Sequence, residues 1–173
     1  MVNYIGNIDT NNIISLSLFN ISLDFDKLSK EILQHNIKTS DNPLSTLNED
    51  FVFPDTPNSE ALKFKETIDN FFETKGLKLA GIWSHVHQPL ESTNTHAHIG
   101  NGVVSSFVFY VKVPLNSGKF VIDFSTTFRG PRIPLSPIEG NLLLFPSWLP
   151  HMVTKNYSNQ TRISISGNLV PLG

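Results

Sequence analysis

His151, Arg162 and Ser164 fall within one stretch, GNLLLFPSWLPHMVTKNYSNQTRISISGN from Gly140 to Asn168, and His96 and His98 stand upstream of it. Neutral imidazole is the commonest side-chain ligand for a metal ion. Arginine's planar fork can bind both oxygens of a carboxylate. Histidines separated along the chain, followed by an arginine with a serine two residues on, point to a metal site, an acidic cosubstrate and an enzyme.

Four of the six histidines lie between positions 85 and 98. His85 and His87 sit in a β-type run, where side chains alternate, so they share a face. His96 and His98 have the same i, i+2 spacing inside the polar stretch ESTNTHAHIGNG. Either pair can aim two imidazoles at one metal, but a His-x-His pair by itself is a weak signal and more often marks surface or hydrogen-bonded histidines. His151 follows FPSWLP, where Pro146 and Pro150 break a strand ladder and bend the chain towards a barrel mouth. Two ligands from one strand end plus one from far along the chain would leave coordination positions open, as in non-haem iron oxygenases. A structural zinc site fills four positions with protein ligands.

RISISGN alternates strictly, so Arg162, Ser164, Ser166 and Asn168 share one face while Ile163, Ile165 and Leu169 share the other. A surface strand has the same pattern. In a barrel the polar face points into the lumen, and a buried arginine there requires an anion. Ser164 can donate a further hydrogen bond. SFVFYVKV puts Ser106, Val108 and Tyr110 on one face, so Tyr110 can bring a phenol to the same pocket or sit in the core at its rim.

The elements that must position these residues are of two kinds. Residues 12–22 read as a strand. In DFDKLSKEILQH, Phe25, Leu28, Ile32 and Leu33 make a helical stripe, with Asp24 or Asp26 to cap it. A long polar loop is expected from about residue 36 to 55. A second helix follows, with Thr56 as N-cap, Pro57 at its first position, Ala61, Phe64, Ile68, Phe71 and Phe72 as its stripe and Gly76 as its stop. Beyond Gly76 come short β-type runs: LKLAGIWSHVHQ, VVSSFVFYVKVP, KFVIDFS, NLLLFPSW, HMVTK and RISISGNLV. Their spacing suggests a sandwich or barrel. The expectation is a single domain, residues 1–173, mainly β, with a helical part over about 1–76 packed outside a β-barrel core over about 77–173.

Composition excludes several classes. A net charge of −2 gives no basic field for nucleic acid. The absence of cysteine removes disulfides, Cys–zinc sites and a thiol nucleophile. No apolar run nears the roughly 20 residues needed to cross a bilayer, and MVNYIGNIDT lacks the character of a secretory signal, so a cytoplasmic location is expected.

Together these residues resemble the 2-oxoglutarate/Fe(II)-dependent oxygenase superfamily, in particular a short 2OG-Fe(II) oxygenase branch of phage and bacteria. That branch carries a Trp-containing strand, a His-x-His element, an SGVYYV-like strand and an EG-x-LLLFPSWLPH-x-V block ending in RISISFN. The counterparts here are Trp83, then His96 and His98, SFVFYV from Ser106 to Val111, the block from Glu139 to Val153, and RISISGN from Arg162 to Asn168. The likeness covers roughly residues 77–170, with a fainter echo in LFNISL near Leu18. It implies a double-stranded β-helix, the jelly-roll or cupin-type barrel. It also implies His96 and His151 as iron ligands, and Arg162, assisted by Ser164, on the distal carboxylate of 2-oxoglutarate. Arg162 follows His151 by 11 residues, close to the interval of the family it resembles. This chain departs from the pattern in four places. His98 stands where a carboxylate ligand is usual, Phe107 replaces a glycine, Phe109 a tyrosine and Gly167 a phenylalanine.

The expected function is therefore a dioxygenase using Fe(II), 2-oxoglutarate and O2. Its expected metal ligands are His96, His98 and His151, and its expected cosubstrate residues are Arg162, Ser164 and Tyr110. The alternatives are a non-catalytic cupin-like module holding zinc or no metal, and a three-histidine dioxygenase that binds its substrate directly. The substrate, whether a small molecule or a protein, and the oligomeric state stay open. Residues 36–55, 89–95 and 128–137 would form the substrate rim, where Arg129 and Arg132 either meet an acidic group or are simply solvated.

Overall fold

The computed structural model describes residues 1–10, 14–35, 58–125 and 129–173; the loop and Thr56–Pro57 cap read from residues 36–57 lie outside them. Among the described residues, ten strands and two helices follow in the order β1 (Val2–Asp9), β2 (Ser15–Ile21), α1 (Phe25–His35), α2 (Glu60–Glu73), β3 (Leu77–His87), β4 (Thr93–His96), β5 (Ser105–Lys112), β6 (Phe120–Asp123), β7 (Arg132–Leu135), β8 (Asn141–Pro146), β9 (His151–Val153) and β10 (Arg162–Pro171). One sheet runs β1-β2-β8-β5-β10-β3 and the other β4-β9-β6-β7. Neighbouring strands pair antiparallel throughout. This is the double-stranded β-helix. Among the described residues, no helix is long and apolar enough to cross a membrane.

Alternation along the strands of the larger sheet divides the apolar residues into two cores. Phe107, Phe109 and Val111 of β5 and Ile163, Ile165 and Leu169 of β10 face the helices, where Leu28, Ile32, Ala61, Phe64, Ile68 and Phe72 cover them. Phe64 stacks on Phe109 with ring centroids 4.7 Å apart. The opposite face carries Leu16, Val108, Tyr110, Leu143 and Phe145 towards Phe120 and Ile122 of the smaller sheet. The space between the sheets is therefore walled by the even-numbered side of β10, the side that holds Arg162.

Both helix starts have physical causes. The Asp24 carboxylate accepts a hydrogen bond from the Lys27 amide at 3.0 Å, the N-cap arrangement read from the sequence. Helix α2 is capped by Ser59, not by Thr56, with the Ser59 hydroxyl accepting from the Leu62 amide at 3.1 Å. The Glu31 carboxylate of α1 also receives the amides of Glu60 and Ala61, placing negative charge at a helix N-terminus. Leu33, read as part of the α1 stripe, is 46% exposed. Strands β1, β4 and β7 lie in segments that the sequence had not marked as strands. The N-terminal part thus contributes two strands to the larger sheet as well as two helices.

Two of the departures from the family pattern meet across the sheet. Gly167 of β10 pairs directly with Phe107 of β5. A Cβ on Gly167 would come within 2.6 Å of the Phe107 ring and 2.9 Å of the Gly81 carbonyl oxygen. The resemblance would place a glycine at Phe107 and a phenylalanine at Gly167, so that pattern too would set one ring beside one glycine in this cross-strand pair. Gly167→Ala is expected to cost ~1–3 kcal/mol, the usual penalty of overpacking a filled core. A chemical-denaturation midpoint unchanged by the substitution would contradict this packing.

Candidate metal centre and anion pocket

Strands β4 and β9 are neighbours, and their register sets His96 opposite His151. The ring centroids of these two lie 4.4 Å apart, and His98, just past the end of β4, brings its ring to 5.0 Å from His96 and 5.2 Å from His151. One ligand nitrogen from each lies within 4.8 Å of the other two. Backbone carbonyls select the tautomer. His96 Nδ1–H donates to the Asn94 carbonyl and His151 Nδ1–H to the Leu149 carbonyl, each at 2.8 Å. A carbonyl can only accept, so the proton sits on Nδ1 and the Nε2 lone pair is left for a metal. Among the described residues His98 has no such acceptor.

The surroundings keep His98 and His151 neutral. Burial, followed by the nearby His96, pulls His151 down to about 3 and His98 down to about 4. The rings of Phe120 and Phe145 close on His151 at 5.1 and 4.8 Å. Neutral imidazole is the form that ligates a metal.

Arg162 is the largest fully buried side chain, with no exposed surface. Among the described residues its Nε, Nη1 and Nη2 have no hydrogen-bond partner. No carboxylate among the described residues pairs with it, and it lies over the Tyr110 ring, 5.6 Å from the centroid. Burial lowers its pKa, yet a guanidinium stays charged at neutral pH. A buried cation with unsatisfied donors is costly unless an anion arrives. Ser164 pairs with Tyr110 on β5 and with His85 on β3, and all three are buried. Burial pushes the Tyr110 phenol up to about 12, so it stays protonated and able to donate. The donor set therefore fits a metal ion beside a carboxylate-bearing ligand.

A family model described as "Putative 2OG-Fe(II) oxygenase" matches residues 81–168, just over half of the chain. The chain belongs to this 2OG-Fe(II) oxygenase family. Such oxygenases are oxidoreductases that use Fe(II) and 2-oxoglutarate. Solved structures agree in fold. A Pseudomonas putida prolyl-4-hydroxylase is 17% identical with a TM-score of 0.64, over 91% of this chain and 93% of that one. A Trichoplax adhaerens prolyl hydroxylase, solved with a hypoxia inducible factor peptide, is 17% identical with a TM-score of 0.69, over 92% and 85%. The viral collagen prolyl hydroxylase of Paramecium bursaria Chlorella virus-1, in its 2OG complex, is 13% identical with a TM-score of 0.61, over 95% and 100%. No curated protein matches the chain in sequence.

In this oxygenase the three histidines expected at the metal do converge, and Arg162, Ser164 and Tyr110 do share the inner face. His85 and His87 lie outside the three-histidine group. His85 nevertheless lines the same small cavity as His96, His98, His151 and Ser164. The other sequence pair thus has one member in the pocket but not in the metal group. Burial lowers the basicity of His85 well below the ordinary value, with His87, His96, Arg162 and His151 adding to the effect. His87 instead shares a hydrogen bond of 2.8 Å with Thr93.

Asp123 escaped the sequence reading; its only signal was a carboxylate inside the apolar run KFVIDFS. It is fully buried. It accepts from Thr95, next to His96, at 2.8 Å, from Ser125, and from Arg132 through Nε and Nη2 at 3.2 Å each. Arg132 is thus occupied by Asp123 and is not simply a solvated rim cation. These bonds tie β4, β6 and β7 together and fix the backbone that carries His96. Hydrogen bonds from Ser125, then Arg132 and Thr95, hold the Asp123 carboxyl well below the usual carboxylate range in spite of burial. A depressed folded pKa adds stability above the unfolded value of about 3.9 and loses it as pH falls. Asp123→Asn is therefore expected to lower the melting temperature at pH 7 and to flatten its fall below pH 4. Parallel melting curves for both proteins across that range would refute this.

Proposed function

We propose that the protein is a 2-oxoglutarate-dependent dioxygenase that hydroxylates a substrate C–H bond. In the balanced reaction, substrate, O2 and 2-oxoglutarate give hydroxylated substrate, succinate and CO2. The observation that carries the proposal is Arg162, fully buried with three nitrogens unpartnered among the described residues, on the same side of β10 as Ser164, which lines the cavity of the three histidines. A scaffold has no need for a buried cation awaiting an anion.

In this reading His96, His98 and His151 hold Fe(II). Arg162, with Ser164 and the protonated Tyr110, holds the distal carboxylate of 2-oxoglutarate. The metal supplies oxygen activation coupled to oxidative decarboxylation; the protein orients the reactants and excludes water. The Asn94 and Leu149 carbonyls keep His96 and His151 in the ligating tautomer. Phe120 and Phe145 keep the neighbourhood of His151 dry.

Anaerobic titration of the Fe(II) protein with 2-oxoglutarate, followed by its charge-transfer band, tests the binding half. Succinate formation in air tests the turnover half. Prolyl peptides are natural first substrates, because structural relatives are prolyl hydroxylases. Zinc retention with neither band nor succinate would favour the non-catalytic module. A three-imidazole set also suits zinc, so that outcome has a chemical basis.

A further inference from the structure

We propose that His85 is a cosubstrate-positioning residue: Trp83 fixes it as a neutral Nδ1–H donor, and that N–H meets an oxygen of the anionic ligand held by Arg162. The inference rests on the oxygenase reading above. Trp83 and His85 are two residues apart on β3, so they share a face. Trp83 Nε1–H donates to His85 Nε2 at 2.8 Å. Indole nitrogen has no acceptor capacity, and an imidazolium has none either. His85 is therefore neutral with its proton on Nδ1. That Nδ1 is buried and has no hydrogen-bond partner.

The orphan donor is well placed. His85 lines the cavity with His96, His98, His151 and Ser164. It pairs with Ser164 across the sheet, and Arg162 is two residues further along the same face of β10. The wall thus presents two kinds of buried donor without acceptors, the Arg162 fork and the His85 N–H. Buried donors are normally satisfied, and each exception calls for a partner. One dianionic, oxygen-rich molecule satisfies both. The cavity measures only about 20 Å³, the space of a single water, so a molecule of that size requires the lining side chains to move.

Two experiments on the full chain test this. Long-range 1H–15N NMR on the zinc-loaded protein should show His85 protonated at Nδ1, and 2-oxoglutarate should move that resonance. In the anaerobic Fe(II) protein, His85→Ala should weaken 2-oxoglutarate about 10- to 100-fold, the effect of one hydrogen bond to a charged group, with Fe(II) affinity unchanged. His85→Asn, whose amide can still donate, should recover most of the loss. Trp83→Phe should weaken binding less than His85→Ala and let the other tautomer appear. An Nε2-protonated His85 in the wild type overturns the proposal. So does equal or tighter 2-oxoglutarate binding by His85→Ala, which would make the imidazole a plug. If the wild-type Fe(II) protein itself fails to bind 2-oxoglutarate, the oxygenase reading falls and this inference with it.

Discussion

Replacing Arg162 is expected to remove 2-oxoglutarate binding while making the empty protein more stable. Truncating a buried, charge-assisted contact costs ~2–5 kcal/mol of binding free energy, so Arg162→Ala should abolish a titratable charge-transfer band at ordinary cosubstrate concentrations. The stability change has the opposite sign. Without an anion the native protein carries a fully buried guanidinium whose three nitrogens lack partners. An apolar side chain of similar reach, as in Arg162→Met, removes that cost and should stabilise by ~1–3 kcal/mol. For a domain of this size that corresponds to a melting temperature roughly 2–10 °C higher. The wild type should close the gap when 2-oxoglutarate is added with a metal, and the variant should not respond. A variant that melts lower than the wild type and still binds 2-oxoglutarate would place the anion site elsewhere.

The second large effect concerns the metal. His151→Ala should lose the ion through dialysis, since His151 is the buried member of the three and its Nε2 is oriented by the Leu149 carbonyl. A change to a supporting hydrogen bond alone costs 10- to 100-fold in metal affinity, so loss of the ligand should cost ~100-fold or more. His98 decides the character of the centre. His98→Asp restores the common two-histidine, one-carboxylate set and should keep iron with some turnover, part of it uncoupled from substrate oxidation. His98→Ala offers nothing in return and should lose more of both. Metal content after dialysis and succinate yield report the two properties separately. Full metal and full turnover in His98→Ala would make His98 a bystander and leave two histidines at the ion.

The chemistry of the site was more legible in the sequence than its scaffolding. The strict alternation of Arg162, Ser164 and Ser166 against Ile163 and Ile165 is a local pattern, and burial on both sides of β10 preserved it. His151 was recognisable because Pro146 and Pro150 punctuate the chain before it, and His96 because it opens a His-x-His pair that resembles the family element. What sequence could not supply is pairing between distant segments. Strand β4 has polar residues and β7 contains Pro134; both exist because β9 and β6 offer them ladders. Asp123 matters only because Thr95 and Arg132 meet it, and neither spacing predicts that. The N-cap of α2 was misplaced because Thr56-Pro57 is a good local signal, while Ser59 won through the Glu31 carboxylate on the neighbouring helix. His85 and His87 offer a second His-x-His pair, expected to stay off the metal, and they lie outside the three-histidine group; the hydrogen bond from Trp83 to His85 is what the spacing could not show.

The Phe107–Gly167 pair carries a consequence for anyone moving residues between this oxygenase and its relatives. The two positions fill one space. Phenylalanine on both sides would overfill the space, and glycine on both would leave the helix-facing core with a hole, so each single exchange is penalised where the double exchange is not. Such a pair shows up in a double-mutant cycle as a coupling of ~0.5–3 kcal/mol. A chimera cut between β5 and β10 would inherit one half of it. Segments should be exchanged with both strands together, or the recombinant will suffer from a mismatch that neither parent contains.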